Sequence, residues 1–126
     1  IMILGIGCDI VRIPRVARAI ENERFLTRVY TEAERSYAQT RGKGMAASLA
    51  ARFAGKEAVL KAFGTGLRDG TLRDVEILPD ALGAPHVYLR GYFAKRAAEM
   101  GVQRVWITLS HERAYATAYC VLEGQR

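Results

Sequence analysis

The sequence has few of the residues that cross-link a small protein. Its 126 residues include two cysteines, two histidines, three prolines and one tryptophan. Two cysteines cannot supply the disulfide framework of a small secreted scaffold, and no paired-cysteine spacing predicts a zinc site. Cys8 and Cys120 each lie in an apolar run, so we expect two buried free thiols rather than a disulfide or a ligand pair.

Long apolar runs are also missing. None approaches the ~20 residues that span a bilayer, and the N-terminus lacks the basic-then-apolar layout of a signal peptide. We therefore expect a cytoplasmic protein with no membrane contact. Half of the residues are hydrophobic, so the chain can build a core without disulfides or metals. Its length suits one domain, residues 1–126, and oligomerisation is expected of so small a domain.

Acidic residues are outnumbered, 13 against 19 lysines and arginines, which gives a formal net charge of +6. A basic surface predicts an anionic partner: nucleic acid, a membrane, a phosphorylated ligand or an acidic protein. An RNA-binding module usually presents exposed aromatic residues on a sheet, or a basic loop. The six tyrosines show no such clustering. RNA binding therefore stays the less favoured alternative, and we expect no nucleic-acid partner.

Strand and helix patterns mix without strict β–α–β alternation. Predicted strands span 2–13, 75–78, 86–89, 105–109 and 115–122, and predicted helices span 15–23, 34–40, 45–63 and 91–100. Thr31 and Glu34 have capping-box spacing at the start of the second helix, and Gly64 ends the third. These patterns predict an α+β fold, with a mostly antiparallel sheet packed against a long central helix.

Asp9 is the first residue that breaks the local pattern. It interrupts the apolar first strand, where a carboxylate must be paired, hydrogen-bonded or bound to a metal. The alternative is an aspartate that caps the turn after the strand. This residue alone does not decide between the two.

The central helix is the second exception, because Lys56 falls within its apolar stripe. Glu57 and Lys61 lie one turn apart on the adjoining face. The ordinary interpretation is a weak surface ion pair, with Lys56 extending past the stripe to solvent. The segment Gly64-Thr65-Gly66 follows, and its backbone N–H groups can approach a phosphate.

His111 is the third exception, lying between two predicted strands. His111 is a solvated turn residue, a phosphate contact or a proton carrier, and the residues alone leave these alternatives open. We interpret the other histidine, His86, as structural. Asp9 and Glu57 with few other ligands suit magnesium, and Lys61 would neutralise charge on a phosphate. The residues alone thus predict phosphoryl-type chemistry on an anionic ligand.

At these residues the chain resembles bacterial holo-acyl-carrier-protein synthases, the small members of the phosphopantetheinyl transferase superfamily. The matching segments are Gly5–Ile13, Arg52–Gly66, Leu82–Pro85, Ser110–Glu112 and Tyr115–Ala116. They follow the family order over essentially the whole chain, and the helix segment is the most specific. Gly55 stands where the family has alanine, and Cys8 where an aliphatic residue is usual; neither is a proposed ligand.

The resemblance implies transfer of 4′-phosphopantetheine from coenzyme A to a serine of apo acyl carrier protein, in support of fatty acid biosynthesis. It implies that Asp9 and Glu57 hold Mg²⁺ together with the pyrophosphate of coenzyme A. Lys61 would contact the phosphates and help the bridging oxygen leave. Glu57, directly or through a metal-bound water, would be the base for the serine hydroxyl. His111 would touch the phosphates of the nucleotide.

The resemblance also assigns the remaining binding residues. The nucleotide pocket would be shaped by Gly64, Thr65, Gly66, Gly83 and Pro85. Family members are trimers with coenzyme A in clefts between subunits. The basic first helix would face the acidic carrier protein through Arg12, Arg15, Arg18, Arg24 and Arg28. A coenzyme A-binding module without catalysis is the other alternative, and the presence of both Asp9 and Glu57 argues against it.

Overall fold

The structure, a computed structural model, describes all residues 1–126 as ten helices and strands with two short 3₁₀ turns. In chain order these are β1 (Met2–Arg12), α1 (Ile13–Ala19), α2 (Glu23–Val29), α3 (Glu32–Gln39), α4 (Met45–Phe63), β2 (Val75–Pro79), β3 (Pro85–Leu89), α5 (Gly91–Met100), β4 (Val102–His111) and β5 (Tyr115–Gly124). The predicted α+β class is confirmed. None of the helices has both the length and the apolar character needed to cross a membrane.

The strands form two antiparallel sheets. The larger has the order β1-β5-β4, and the smaller is the hairpin of β2 and β3. In the larger sheet, Ala118 on the central strand pairs with Asp9 on one side and Leu109 on the other. The predicted antiparallel arrangement is therefore confirmed, and Asp9 lies on an edge strand.

Helix α4 packs directly against β1. A side chain at Gly5 would overlap the carbonyl oxygen of Ala62, and one at Gly7 would overlap that of Ala58. Glycine at both positions therefore lets the helix and strand backbones touch. Because side chains alternate along a strand, Asp9 lies on this same face of β1, turned toward α4. The rest of α4 is buried on most sides, as expected for a helix in the core.

The helix predicted over 15–23 exists as α1 but ends earlier, at Ala19, and the prediction is wrong in missing α2, which follows it. The side chain of Asn22 accepts hydrogen bonds from the backbone N–H groups of Arg24 (2.9 Å) and Phe25 (3.3 Å). This N-cap starts α2 as a separate helix. The capping box of Thr31 and Glu34 is confirmed.

The outer face of the larger sheet is apolar and uncovered. Ile6, Ile10, Trp106 and Tyr119 are all exposed there. Cys8 lies on this face and is exposed too, so the prediction of two buried thiols is wrong for Cys8. Alternation along β1 places Cys8 opposite to the buried face. Cys120 is buried, and burial raises the pKa of its thiol to about 12.

Candidate functional site

Asp9, Glu57 and Lys61 meet where β1 passes α4. Nζ of Lys61 donates to Oδ1 of Asp9 at 3.0 Å, with the side chains 56% and 17% exposed. Lys61 makes no ion pair with Glu57, so the surface-pair interpretation is wrong: the strand supplies the closer carboxylate. Asp9 does not cap the turn after β1 either, because α1 begins without a side-chain cap.

The carboxylates of Asp9 and Glu57 repel each other, and the ammonium of Lys61 offsets part of that repulsion. Burial raises the pKa of the Glu57 carboxyl, Asp9 raises it further, and Lys61 lowers it. The hydrogen bond and charge of Asp9 raise the pKa of Lys61, which keeps the ammonium protonated at neutral pH. Two carboxylates against one lysine leave the site with a net negative charge, which favours a cation.

The donor set of the site fits magnesium. The chain contains no group of three or more His, Cys, Asp or Glu side chains that could hold a metal. Mg²⁺ is commonly held by one or two carboxylates, while waters and substrate phosphates complete its shell. Burial and the charge of Asp9 both disfavour the ionised Glu57 and raise its pKa, and a divalent cation at the carboxylates would oppose both effects. Asp9 and Glu57 therefore fit a Mg²⁺ ion that is shared with an anionic substrate.

The turn after α4 lies one helical turn beyond Lys61. Gly64 has a φ of 78° and Gly66 a φ of 68°, left-handed values that favour glycine. Gly64 closes the helix by donating its N–H to the carbonyl of Leu60, and the space where a side chain would stand is open at both glycines. Thr65 is half-buried between them. The turn is open enough for a phosphate-bearing ligand to approach its backbone.

A second group of predicted residues lies elsewhere on the chain. Gly83, Pro85 and His111 line a cavity of about 230 Å³ together with Tyr37, Arg41, Gly44, Ser48, Ala51, Arg52 and Leu109. His111 is exposed and is the last residue of β4, not part of the turn. His86 lies outside this cavity, with Nε2 2.9 Å from Oδ2 of Asp80.

Arg52 is the residue that the sequence analysis missed. It is only 6% exposed, and its Nη1 donates to the carbonyl (3.4 Å) and hydroxyl (3.2 Å) oxygens of Ser48. Its guanidinium carbon lies 4.7 Å from the Tyr37 ring centroid. The buried Nε has no hydrogen-bond partner, and burial lowers the pKa of the guanidinium. The positive charge of this guanidinium, in a cavity that Arg41 and His111 also line, favours an anion there.

The two groups lie on opposite sides of α4. Ser48, in the Arg52 cavity, precedes Glu57 by nine residues, which corresponds to about 180° around the helix axis. The structure thus brings Asp9, Glu57 and Lys61 together, and it brings Gly83, Pro85 and His111 together. It does not bring the two groups into one cavity of a single chain.

The five predicted carrier-binding arginines are all exposed. Two of them, Arg12 and Arg15, lie at a largely apolar cavity of about 620 Å³, whose other lining residues are Ile10, Val11, Val16, Ala19, Phe25, Phe53 and Tyr115. Arg18, Arg24 and Arg28 are distributed over α1 and α2 and do not line it.

Known proteins share both the sequence and the shape of this chain. The family profile of the 4′-phosphopantetheinyl transferase superfamily matches residues 5–120. The holo-[acyl-carrier-protein] synthase of Halorhodospira halophila is 46% identical over 124 residues, covering 96% of this chain and 98% of that one. The crystal structure of the Neisseria meningitidis holo-[acyl-carrier-protein] synthase matches with a TM-score of 0.88 and 38% sequence identity. The match covers 97% of this chain and 99% of that one.

A solved complex adds a ligand to this comparison. The Chronobacterium ammoniagenes ACPS–CoA complex has a TM-score of 0.85 and 31% identity, and it covers 97% of this chain and 98% of that one. These likenesses extend through the strand, the helix and the turn that place Asp9, Glu57 and Lys61. The chain belongs to the 4′-phosphopantetheinyl transferase superfamily.

Proposed function

We propose that the chain transfers the 4′-phosphopantetheine arm of coenzyme A to a serine of apo acyl carrier protein, releasing adenosine 3′,5′-bisphosphate. The observation that carries this function is the pairing of Asp9 with Lys61 beside the half-buried Glu57. Relatives are named for this activity, and one solved relative is a complex with CoA. The product supports fatty acid biosynthesis.

Asp9 and Glu57 would hold Mg²⁺ against the diphosphate of coenzyme A. The ion would neutralise the diphosphate and make its phosphorus a better electrophile. Lys61 already lies 3.0 Å from Asp9 with more than half of its side chain exposed. Its ammonium can therefore donate to a phosphate oxygen and stabilise the negative charge that develops on the leaving oxygen.

Glu57 is the base that we assign to the serine hydroxyl. Its half-buried carboxylate lies where Asp9 and Lys61 meet, and a carboxylate there can accept the hydroxyl proton directly or through one water. The serine Oγ forms a bond to the β-phosphorus, the bond from that phosphorus to the bridging oxygen breaks, and the serine proton passes to Glu57, directly or through a water. The bridging oxygen leaves on adenosine 3′,5′-bisphosphate beside Lys61.

The cavity at Arg52 is suited to the other phosphate of the nucleotide. Coenzyme A carries a 3′-phosphate that takes no part in the transfer, and the buried Arg52 Nε lacks a partner. Arg41 and His111 line the same cavity and would share this anion. Gly83 and Pro85 would shape the adjoining nucleotide pocket, while Gly64, Thr65 and Gly66 would bound it on the diphosphate side.

One coenzyme A would therefore contact two copies of the chain. The carboxylate pair and the Arg52 cavity lie on opposite sides of α4, so a ligand that reaches both needs a neighbouring subunit. The uncovered apolar sheet face, with Ile6, Trp106 and Tyr119 exposed, supports self-association, and the family assignment favours a homotrimer. Dilution should lose sedimenting mass and activity together; a fully active monomer in ultracentrifugation would contradict the trimer.

The carrier protein would dock on the arginine-bearing helices. Arg12 and Arg15 stand at an apolar cavity lined by Phe25 and Phe53, which fits an acidic partner that also presents an apolar side chain. Arg18, Arg24 and Arg28 would extend the basic surface. Both cysteines are free, as is usual in the cytoplasm, where we place this reaction.

Mass spectrometry of an apo carrier protein tests this function. Incubation with the chain, coenzyme A and Mg²⁺ should add one phosphopantetheine group to the carrier, and EDTA should stop the reaction. Coenzyme A binding without any mass gain would instead support the non-catalytic binding module. Tight, saturable RNA binding with a steep salt dependence would favour the nucleic-acid alternative.

A further inference from the structure

A fully buried ion pair lies next to Glu57 in the sequence, and the proposed chemistry leaves it unused. Nζ of Lys56 is 2.8 Å from Oε1 of Glu34, and neither side chain is exposed. The same ammonium donates to the carbonyl oxygens of Leu72 (2.9 Å) and Val75 (2.7 Å). All three of its donors are thus used, and the interpretation that Lys56 extends to solvent is wrong.

Glu34 is equally well satisfied. Its Oε1 also accepts from the backbone N–H of Thr31, and its Oε2 accepts from that of Ile77, both at 2.8 Å. The pair therefore joins α4 to the start of α3 and to β2. Burial lowers the pKa of Lys56, and the charge of Glu34 opposes that effect. A buried pair persists in a core only when its hydrogen bonds are completed in this way.

The pair and β1 hold α4 from opposite sides. Lys56 and Ala58, whose carbonyl oxygen packs against Gly7, are about 200° apart around the helix axis, with Glu57 between them. A side-chain end lies about 5–6 Å from the axis, so a rotation of about 20° would move the Glu57 carboxylate by about 2 Å. A displacement of about 1 Å is enough to cost on the order of 100-fold in rate.

We propose that the Lys56–Glu34 pair is a positioning device that sets the rotation of α4 and so aims Glu57 at Asp9. The role rests on the function proposed above for Glu57. Lys56 acts only through its neighbour and does not touch substrate. Its bond to the carbonyl of Leu72 also fixes the far end of the segment that begins with Gly64.

The test removes both charges at once. The double variant Lys56→Met/Glu34→Gln leaves no buried charge without a partner and nearly conserves volume, but it removes the donor to the carbonyls of Leu72 and Val75. Circular dichroism therefore checks the fold, and the assays are run below the melting temperature of the variant. Its kcat should fall at least ~10-fold, with the KM for the carrier unchanged within about twofold. Binding of Mn²⁺ to the protein without coenzyme A, measured by electron paramagnetic resonance, should weaken at least ~10-fold.

Val59→Ala is the matched control. Val59 is fully buried on the same helix, so its truncation lowers the melting temperature but leaves the pair intact. It should keep the wild-type kcat and Mn²⁺ affinity.

Glu57→Gln separates the two proposals. Wild-type turnover in Glu57→Gln would remove the proposed function of Glu57 itself. An inactive Glu57→Gln combined with wild-type turnover and Mn²⁺ affinity in the double variant would overturn the positioning role alone. A double variant that fails to fold would also overturn it, since the pair would then serve only the fold.

Discussion

The two sides of α4 carry sites of opposite charge. On the β1 side, Asp9 and Glu57 outnumber Lys61, and the repulsion between the carboxylates favours a cation. On the other side, the buried Arg52 keeps a donor without a partner, which favours an anion. The carboxylate side favours a cation that would accompany the diphosphate of coenzyme A. The Arg52 side favours an anion, and the 3′-phosphate of coenzyme A would supply it.

The comparison shows how one helix can divide binding from chemistry. The carboxylate side is open to solvent at Lys61, where reacting groups must enter and leave. The arginine side buries the charge of Arg52 and, in the proposed arrangement, holds a phosphate that does not react, so it would contribute affinity without taking part in proton transfer. Changes on the first side should therefore reduce kcat, and changes on the second should raise the KM for coenzyme A.

The largest expected effect is the loss of a carboxylate. Glu57→Gln and Asp9→Asn should each reduce turnover at least ~100-fold, because each would remove a proposed magnesium ligand and Glu57 is also the proposed base. Steady-state transfer to apo carrier protein, followed by mass spectrometry, measures this. Glu32→Gln removes an exposed carboxylate on α3 and should behave as wild type. Full activity of either site variant, or of the wild type in EDTA, would contradict the metal assignment.

The second-largest expected effect is the loss of Arg52, on the arginine side of α4. Arg52→Met should raise the KM for coenzyme A by about 10- to 100-fold and leave kcat within about threefold, because it would remove the proposed charged hydrogen bond to the 3′-phosphate. With dephospho-coenzyme A, which lacks the 3′-phosphate, wild type and variant should have similar KM values. Lys95→Met, on the exposed surface of α5, controls for the lost charge. If Arg52→Met impairs both substrates equally, the cavity does not hold the 3′-phosphate.

Local signals predicted the elements that hold both sites. Helix α4 begins and ends at the predicted residues, Met45 and Phe63, because a continuous run of helix-forming residues ends at a left-handed glycine. The Thr31–Glu34 capping box was equally readable. Asn22 is a capping signal as well, and it marks the start of α2, which the predicted helices do not include.

Tertiary contacts determine which residues lie together at each site, and local sequence patterns do not reveal those contacts. Sequence spacing identified Glu57 as the helical neighbour of Lys61, but Gly5 and Gly7 let β1 bring Asp9 closer to it. Arg52 and His111 lie 59 positions apart in the printed sequence, and only the packing of α4 beside β4 reveals their common cavity. Lys56 and Glu34 illustrate the same limit, since a charge within an apolar stripe does not reveal its partner.

A smaller effect is expected for carrier docking. Arg15→Glu and Arg24→Glu should each raise the KM for the carrier by about three- to tenfold and leave the KM for coenzyme A nearly unchanged, since a surface charge steers association. The wild type should also lose affinity for the carrier from ~0.05 to ~0.5 M salt. Lys95→Glu makes the same charge change away from both helices. If both arginine variants stay within twofold of wild type for the carrier, the docking role fails.

The smallest effect is a gain in stability that accompanies the loss of activity. The raised pKa of Glu57 means that the folded chain holds this proton more tightly than the unfolded chain, so ionising Glu57 at neutral pH costs stability. That cost disappears as pH falls through the folded-state pKa, which lies above the ordinary glutamate value. Without metal, Glu57→Gln should therefore melt a few degrees above wild type at pH 7.

The pH dependence of that gain distinguishes it from a general effect of the substitution. The difference in melting temperature should shrink from about pH 8 to about pH 4, because the wild-type carboxyl then becomes neutral like the amide. Glu32→Gln, which removes an exposed carboxylate, controls for the loss of one negative charge. Saturating Mg²⁺ with adenosine 3′,5′-bisphosphate should stabilise only the wild type and reverse the order. A Glu57→Gln variant that is less stable than wild type at neutral pH without metal would show that burial and the charge of Asp9 do not make the ionised Glu57 costly, and the contrast between the two sides of α4 would then rest on Arg52 alone.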